Sequence, residues 1–145
     1  KIENIKKTFQ INFFSQLIFS KIIIKKMMKK KAGSIIFISS KAALDHVPGR
    51  LAYSSSKSSL INTTKILSKE LGRYNIRVNA IAPGIIDTDM LKNQLNKSEI
   101  DNILQKIPLN KIGSPENVAD LVTFLSSEKS SYINGQIISI DGGQY

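Results

Sequence analysis

"IRVNAIAPG", residues 76–84, is a short apolar run with β-branched residues, cut off by Pro83-Gly84. An apolar run of this kind, too short for a helix, has the form of a strand buried on both faces. Pro-Gly is a strong turn signal, so the strand stops there. Two more runs share its character. "SIIFIS" (34–39) lies before it and "QIISID" (136–141) after it, the latter ended by Gly142-Gly143. Between and before them lie helical patterns. Residues 3–30 carry Ile5, Phe9, Phe13, Leu17, then Ile18 and Ile22 as an apolar stripe that Gly33 ends. "SKAALDHVPGR" (40–50) reads as a loop. From Leu51 to Arg73, Leu60, Thr64, Leu67 and Leu71 mark one helical face. Residues 85–110 are polar with a few helical turns, closed by Pro108. "SPENVADLVTFLSS" (114–127) opens with Ser114 as cap, Pro115 in the first position and an acid beside it, a strong helix start.

Helix, strand, helix, strand, helix, strand at these spacings predicts an α/β fold built from parallel βαβ units, with helices on both sheet faces. Ligands in such sheets bind beyond the carboxyl ends of the strands. Those ends carry Ser39 and Ser40, then Pro83 and Gly84, then Asp141 to Gly143. The 145 residues read as one domain, without repeats or a low-complexity linker.

Composition excludes several chemistries. There is no cysteine and one histidine, so neither disulfides nor a Cys- or His-cluster metal site is expected. His46 lies near Pro48 and Gly49 and reads as solvent-facing. The most apolar stretch, "FFSQLIFSKIII", is interrupted by Gln16 and Lys21 and is too short for a membrane span of about 20 residues. The net charge of +10 raises a nucleic-acid reading. The lysines are dispersed, however, and no recognition motif is present. The dense run "KKMMKKK" (25–31) falls where a helix ends, and cations suit that end of the dipole. Neither a membrane nor a nucleic acid is therefore expected as a partner. A basic rim facing an acidic protein stays open. The chain reads as cytoplasmic, or from an organelle lumen if a targeting segment preceded it.

"YSSSK" (53–57) sets Tyr53 and Lys57 four positions apart, on one face of a helix. In the plain reading they are a half-buried tyrosine and a solvated lysine. In the chemical reading an ammonium beside a phenol favours phenolate, and the tyrosine becomes a general acid or base.

Together these residues resemble a short-chain dehydrogenase/reductase. "IFISS" supplies a serine after a strand, with Ser40 thirteen positions before Tyr53, the family's usual interval. "YSSSK" is its Tyr-x-x-x-Lys. "RVNAIAPGIIDTDM" resembles its strand and Pro-Gly-x-x-x-Thr loop, and "YINGQIISIDGG" its closing strand. The resemblance runs over essentially the whole chain and implies a Rossmann-like doubly wound parallel sheet. The family's opening strand and Gly-rich turn, which hold the pyrophosphate, and its Asn-Asn-Ala-Gly stretch are not among these 145 residues. The chain therefore reads as the carboxyl-terminal portion of such a domain, inactive by itself.

The resemblance implies carbonyl reduction by NADP(H), in preference to NAD(H). Tyr53 would protonate the substrate oxygen. Lys57 would lower the Tyr53 pKa and hold the nicotinamide ribose. Ser40 would hydrogen-bond the carbonyl, with Ser39 as the alternative because strand ends slip by one residue. Asn12 would anchor a water in the proton relay, unless it is a surface amide. Pro83, Gly84, Ile86 and Thr88, together with Tyr53 and Lys57, would meet the cofactor. "IPLNKIGSPENVADLVTFL" points most closely to 3-oxoacyl-[acyl-carrier-protein] reductases, hence to a carrier-linked or other small carbonyl substrate and a homo-oligomer, dimer or tetramer. Sugar, alcohol and steroid members share the motifs, and a non-catalytic remnant associating with full-length subunits is the other reading. Those reductases carry basic residues just before two of the strands. Lys31 fits the first place, whereas Tyr74 stands at the second with Arg73 beside it.

Overall fold

A computed structural model describes residues 1–88 and 97–144. The helix expected over 3–30 is three consecutive pieces: α1 (Ile2–Phe9), a π-helical segment (Gln10–Phe14) and α2 (Ser15–Lys30). β1 (Gly33–Ile38), the short α3 (Ala42–Asp45) and α4 (Leu51–Leu71) follow. A 3-10 turn (Gly72–Tyr74) leads into β2 (Ile76–Pro83). Then come α5 (Lys97–Leu104), α6 (Pro115–Ser126), a 3-10 turn (Glu128–Ser130) and β3 (Ile137–Ile140). Residues 89–96, part of the stretch read as polar with helical turns, lie outside the described residues, and so do Asp89 and Met90 of the Pro-Gly loop motif.

The described strands form one parallel sheet in the order β1-β2-β3. Gly33 to Ile38 pair with Ile76 to Ile81, and Ala80 to Pro83 with Ile137 to Ile140. This register aligns the carboxyl ends of all three strands. The central strand, β2, matches its apolar reading: Ile76, Val78, Ala80, Ile81 and Ala82 are all buried. β1 is less enclosed, with only Phe37 fully buried, because it pairs on one side alone among the described residues.

Alternation along β2 divides the two faces. Val78 and Ala80 pack with Phe37 of β1 and with Leu60 and Leu71 of α4. The opposite face meets α6: Arg77 Nη2 donates to Ser127 O (3.1 Å) and Ser34 Oγ to Leu125 O (2.9 Å). Asn79, fully buried on that side, donates to Ile133 O and accepts from Gln136 N–H, each at 2.9 Å. It thereby fixes the turn that feeds β3. Each fully buried Leu, Ile or Val contributes roughly 1.5–3 kcal/mol relative to exposure.

Four local expectations change. Gly33 does not end the first helix. Lys31 does so in a left-handed conformation (φ 51°), and Gly33 already belongs to β1. There its missing side chain makes room for Met27, whose Sδ lies 2.6 Å from where a Cβ would sit. The apolar stripe is not all inward either. Phe13, Ile24, Met27 and Met28 face the core, whereas Ile18 and Ile22 are 59% and 57% exposed. One step from Leu17 to Ile18 turns about 100° round the helix and off the packed face. The supposed loop at 40–50 contains α3, and the helix from Leu51 ends in a 3-10 turn rather than running to Arg73. α6 begins as its residues suggest, with Ser114 and Asn117 forming a reciprocal cap.

Candidate active site

α4 brings Tyr53 and Lys57 to the carboxyl end of β1. Tyr53 lies one turn before Lys57 and is 38% exposed. The Lys57 ammonium donates to the last carbonyl of β1, Ile38 O (2.9 Å). Burial pushes its pKa below the ordinary 10.5. Such a cation releases its proton more readily than a solvated lysine.

The two candidate serines part company here. Ser39 is buried and its hydroxyl donates to Lys57 O (2.9 Å), pinning β1 to α4. Ser40 is only half-buried, and its Oγ accepts from Ala42 N–H (3.2 Å). That bond leaves the Ser40 proton available to an acceptor. Asn12 is no free surface amide: its Nδ2 donates to Ser56 Oγ (3.1 Å), and that hydroxyl donates to Tyr53 O (2.7 Å). The π-helical turn thus docks on the stretch of α4 between Tyr53 and Lys57. Ser56 was not singled out in the sequence, since one serine among several carries no signal.

The second loop is built around close approaches. Pro83 O accepts from Lys41 N–H (2.8 Å), and Gly84 N–H donates to Ile140 O (3.0 Å). A Cβ at Gly84 would lie 2.8 Å from Asp141 Cβ and 2.9 Å from its Cα. Ile86 bridges Gly113, whose carbonyl accepts from Asp87 N–H (2.7 Å). Thr88 follows, exposed. Beside this loop and the end of β3 is a cavity of about 280 Å³, lined by Ile85, Ile86, Asn117, Asp120 and Asp141 among others. Gln144 Oε1 is buried without a hydrogen-bond partner among the described residues, next to the Gly84 position. It is an acceptor left over for an N–H, which fits a ligand carrying an amide at this loop. Lys41 and Asp141 form an ion pair (3.0 Å) that the residue pattern did not announce.

Lys31 and Arg73 lie elsewhere. They precede β1 and β2, at the amino ends of the strands, and Arg73 stacks on the Tyr74 ring at 4.9 Å. Neither belongs to the cluster at the carboxyl ends.

The family model described as enoyl-(acyl carrier protein) reductase matches residues 1–144. The chain is 45% identical over 143 residues to the 3-oxoacyl-[acyl-carrier-protein] reductase of Rickettsia felis, covering 99% of this chain and 59% of that protein. The chain belongs to the short-chain dehydrogenase/reductase family. Its fold is that of solved members with a Rossmann-type sheet. A 7α-hydroxysteroid dehydrogenase complexed with NADH and 7-oxo glycochenodeoxycholic acid superposes with a TM-score of 0.95 at 33% identity, over 99% of this chain and 56% of that one. ElxO with NADP bound gives 0.92 at 34%, over 99% and 58%. The chain spans about half the length of the curated relatives it matches, 48% of the Chlamydia trachomatis 3-oxoacyl-[acyl-carrier-protein] reductase and 59% of the Rickettsia felis one. Relatives are oxidoreductases, and of the two solved members one is complexed with NADH and the other with NADP.

A consequence of the Lys57 burial can be measured on stability. Its folded pKa lies below 10.5, the unfolded value. Between the two, the unfolded chain holds a proton that the folded chain has released, so stability rises with pH across that window. Below it, the charged, half-buried lysine costs stability. Lys57→Met should remove this rise and lift the melting temperature at pH 7 by a few degrees. Melting curves of parent and variant between pH 7 and 10 check it. Parallel curves at every pH would mean the burial has no energetic weight.

Proposed function

We propose that this chain carries the reaction end of an NADP(H)-dependent reductase that turns a 3-oxoacyl thioester, presented on an acyl carrier protein, into the 3-hydroxyacyl thioester. The observation that carries the reading is the gathering of a half-exposed tyrosine, a half-buried lysine and a hydroxyl-bearing strand end at the carboxyl ends of a parallel sheet. The similarity to 3-oxoacyl-[acyl-carrier-protein] reductases supports the substrate class. The nicotinamide cofactor supplies the hydride. Pro83, Gly84, Ile86 and Thr88 would hold its carboxamide end, with Lys57 toward its ribose, and the unpartnered Gln144 oxygen fits that end. Ser40 donates a hydrogen bond to the carbonyl oxygen and holds it in line. Tyr53 gives that oxygen its proton. Lys57, one helical turn on, stabilises the phenolate left behind. Asn12, through Ser56, steadies the α4 turn between them and stands where a water could refill the proton.

The 145 residues then form the carboxyl-terminal portion of one domain, with the pyrophosphate turn on residues outside them. The protein works in the cytoplasm as a homo-oligomer. Ile11, Phe14, Ile18 and Ile22 line the outward side of the first helices, and Ile66 is half exposed on α4. A row of this kind suits burial between subunits. No described helix is long and apolar enough to cross a membrane.

The test uses the complete gene product with NADPH and, separately, acetoacetyl and crotonyl thioesters of acyl carrier protein. Oxidation of NADPH with the acetoacetyl thioester is the expected result. Turnover of crotonyl thioester alone would make the protein an enoyl reductase, as the family description has it. Turnover of neither overturns the reading.

A further inference from the structure

β1 and β3 never touch as strands, because β2 lies between them. One side chain nevertheless joins their ends. Lys41, the residue after Ser40, sets its ammonium 3.0 Å from Asp141 Oδ2 at the end of β3 and 3.5 Å from Asp45 Oδ1 in α3. The bridge crosses the exit of β2, where the chain is Pro83-Gly84. It is bound to that exit as well, since Lys41 N–H donates to Pro83 O and Gly84 N–H to Ile140 O. Gly84 has no room for a side chain because Asp141 occupies it. Asp141 is itself held, its Oδ1 accepting from Gly143 N–H (3.1 Å). The side chains of Lys41 and Asp141 are only 18% and 12% exposed, so solvent screens the pair poorly.

We propose that Lys41 is a positioning residue, closing an ion-pair clamp with Asp141 over Gly84 that fixes the Ser40 hydroxyl relative to the Pro83–Ile86 loop. The proposal rests on the reductase reading for its catalytic meaning. In that reading Ser40 holds the carbonyl and the loop holds the hydride donor, on two strands' ends beyond the last ladder pairs. Hydride transfer needs those two loops at one fixed separation, and an error of about 1 Å costs on the order of 10²-fold. Paired residues end at Ile38 and Pro83, and single backbone bonds carry the link on, from Ser39 N–H to Ile81 O, Lys41 N–H to Pro83 O and Gly84 N–H to Ile140 O. The clamp adds to these the side-chain link from the end of β1 across to the end of β3. The hydrogen bond with Asp141 raises the Lys41 pKa above the ordinary 10.5, against the opposing effect of desolvation.

The experiment is a cycle in the complete gene product: Lys41→Met, Asp141→Asn, the double variant and Lys41→Arg. Each single loss is expected to lower kcat for the acetoacetyl thioester about 30-fold, with KM for NADPH within about twofold, a loss within the range of small misplacements. The double variant should match either single one, and Lys41→Arg should recover most of the rate. A kcat for Lys41→Met within threefold of the parent overturns the clamp, as does a double variant whose loss is the product of the two singles. If the parent reduces no thioester, the reading of function fails while the clamp is still decided by amide hydrogen exchange. Exchange at Lys41 and Gly84 at least tenfold faster in Lys41→Met, and parent-like in Lys41→Arg, supports it. Unchanged exchange overturns it.

Discussion

Tyr53→Phe should lower kcat by about 10²–10⁴-fold, the usual worth of general acid catalysis, and leave the fold intact. The substitution keeps the ring and removes only the proton donor. The ring is 38% exposed, and the link from Asn12 through Ser56 ends on the Tyr53 backbone carbonyl rather than on the hydroxyl. Packing and that network therefore survive the change. The measurement pairs steady-state kinetics of the complete gene product with its melting temperature. A melting temperature within a few degrees of the parent, beside the lost rate, assigns the effect to chemistry. A rate within about tenfold of the parent would remove Tyr53 from the proton path.

Asn79→Leu should cost about 2–5 kcal/mol of stability, the sum for two buried backbone groups left unpaired. Leucine is close in volume, so the cavity term is small. What disappears is the pairing of Ile133 O and Gln136 N–H, both served by the Asn79 amide in a fully buried position. These groups belong to the turn that sends the chain into β3, whose end carries Asp141. Lys65 Nζ and Asn134 add their own bonds to the same turn, to Gly135 O and from Val78 N–H. The loss should therefore spread to the Lys41 clamp rather than stay local. Urea unfolding of both proteins measures it. A change under about 1 kcal/mol would mean that the turn finds other partners.

The asparagine shows where reading residues in order stops. "IRVNAIA" reads correctly as a buried strand because six of its seven side chains are apolar or long-stemmed, and a strand between two helical layers needs little else. Its one amide looks like a blemish in that pattern. Only the fold, by delivering residues 133–136 to its side, makes it a binding group. The helix faces follow the same division. The Leu60–Thr64–Leu67–Leu71 face of α4 was legible because it repeats at three- and four-residue steps within one unbroken helix. The first helices were legible as helices, but not as to which isoleucines point inward. Ile18 and Ile22 sit off the packed face, and a hydrophobic residue in a sequence carries no label for core or interface.

The sequence by itself determined the alternation of helices and strands, the ends of the strands and the spacing of Ser40, Tyr53 and Lys57. All of these are local, set by side-chain shape, turn chemistry and helical period. Tertiary structure alone decided which of two adjacent serines is spent on structure. Ser39 bonds to α4 and Ser40 does not, a matter of strand parity against a neighbour that lies eighteen residues away from Ser39. It alone joined Lys41 to Asp141, a hundred positions apart. Charge attracts at short range in a desolvated place, and only the parallel register of three strands brings those two charges within that range.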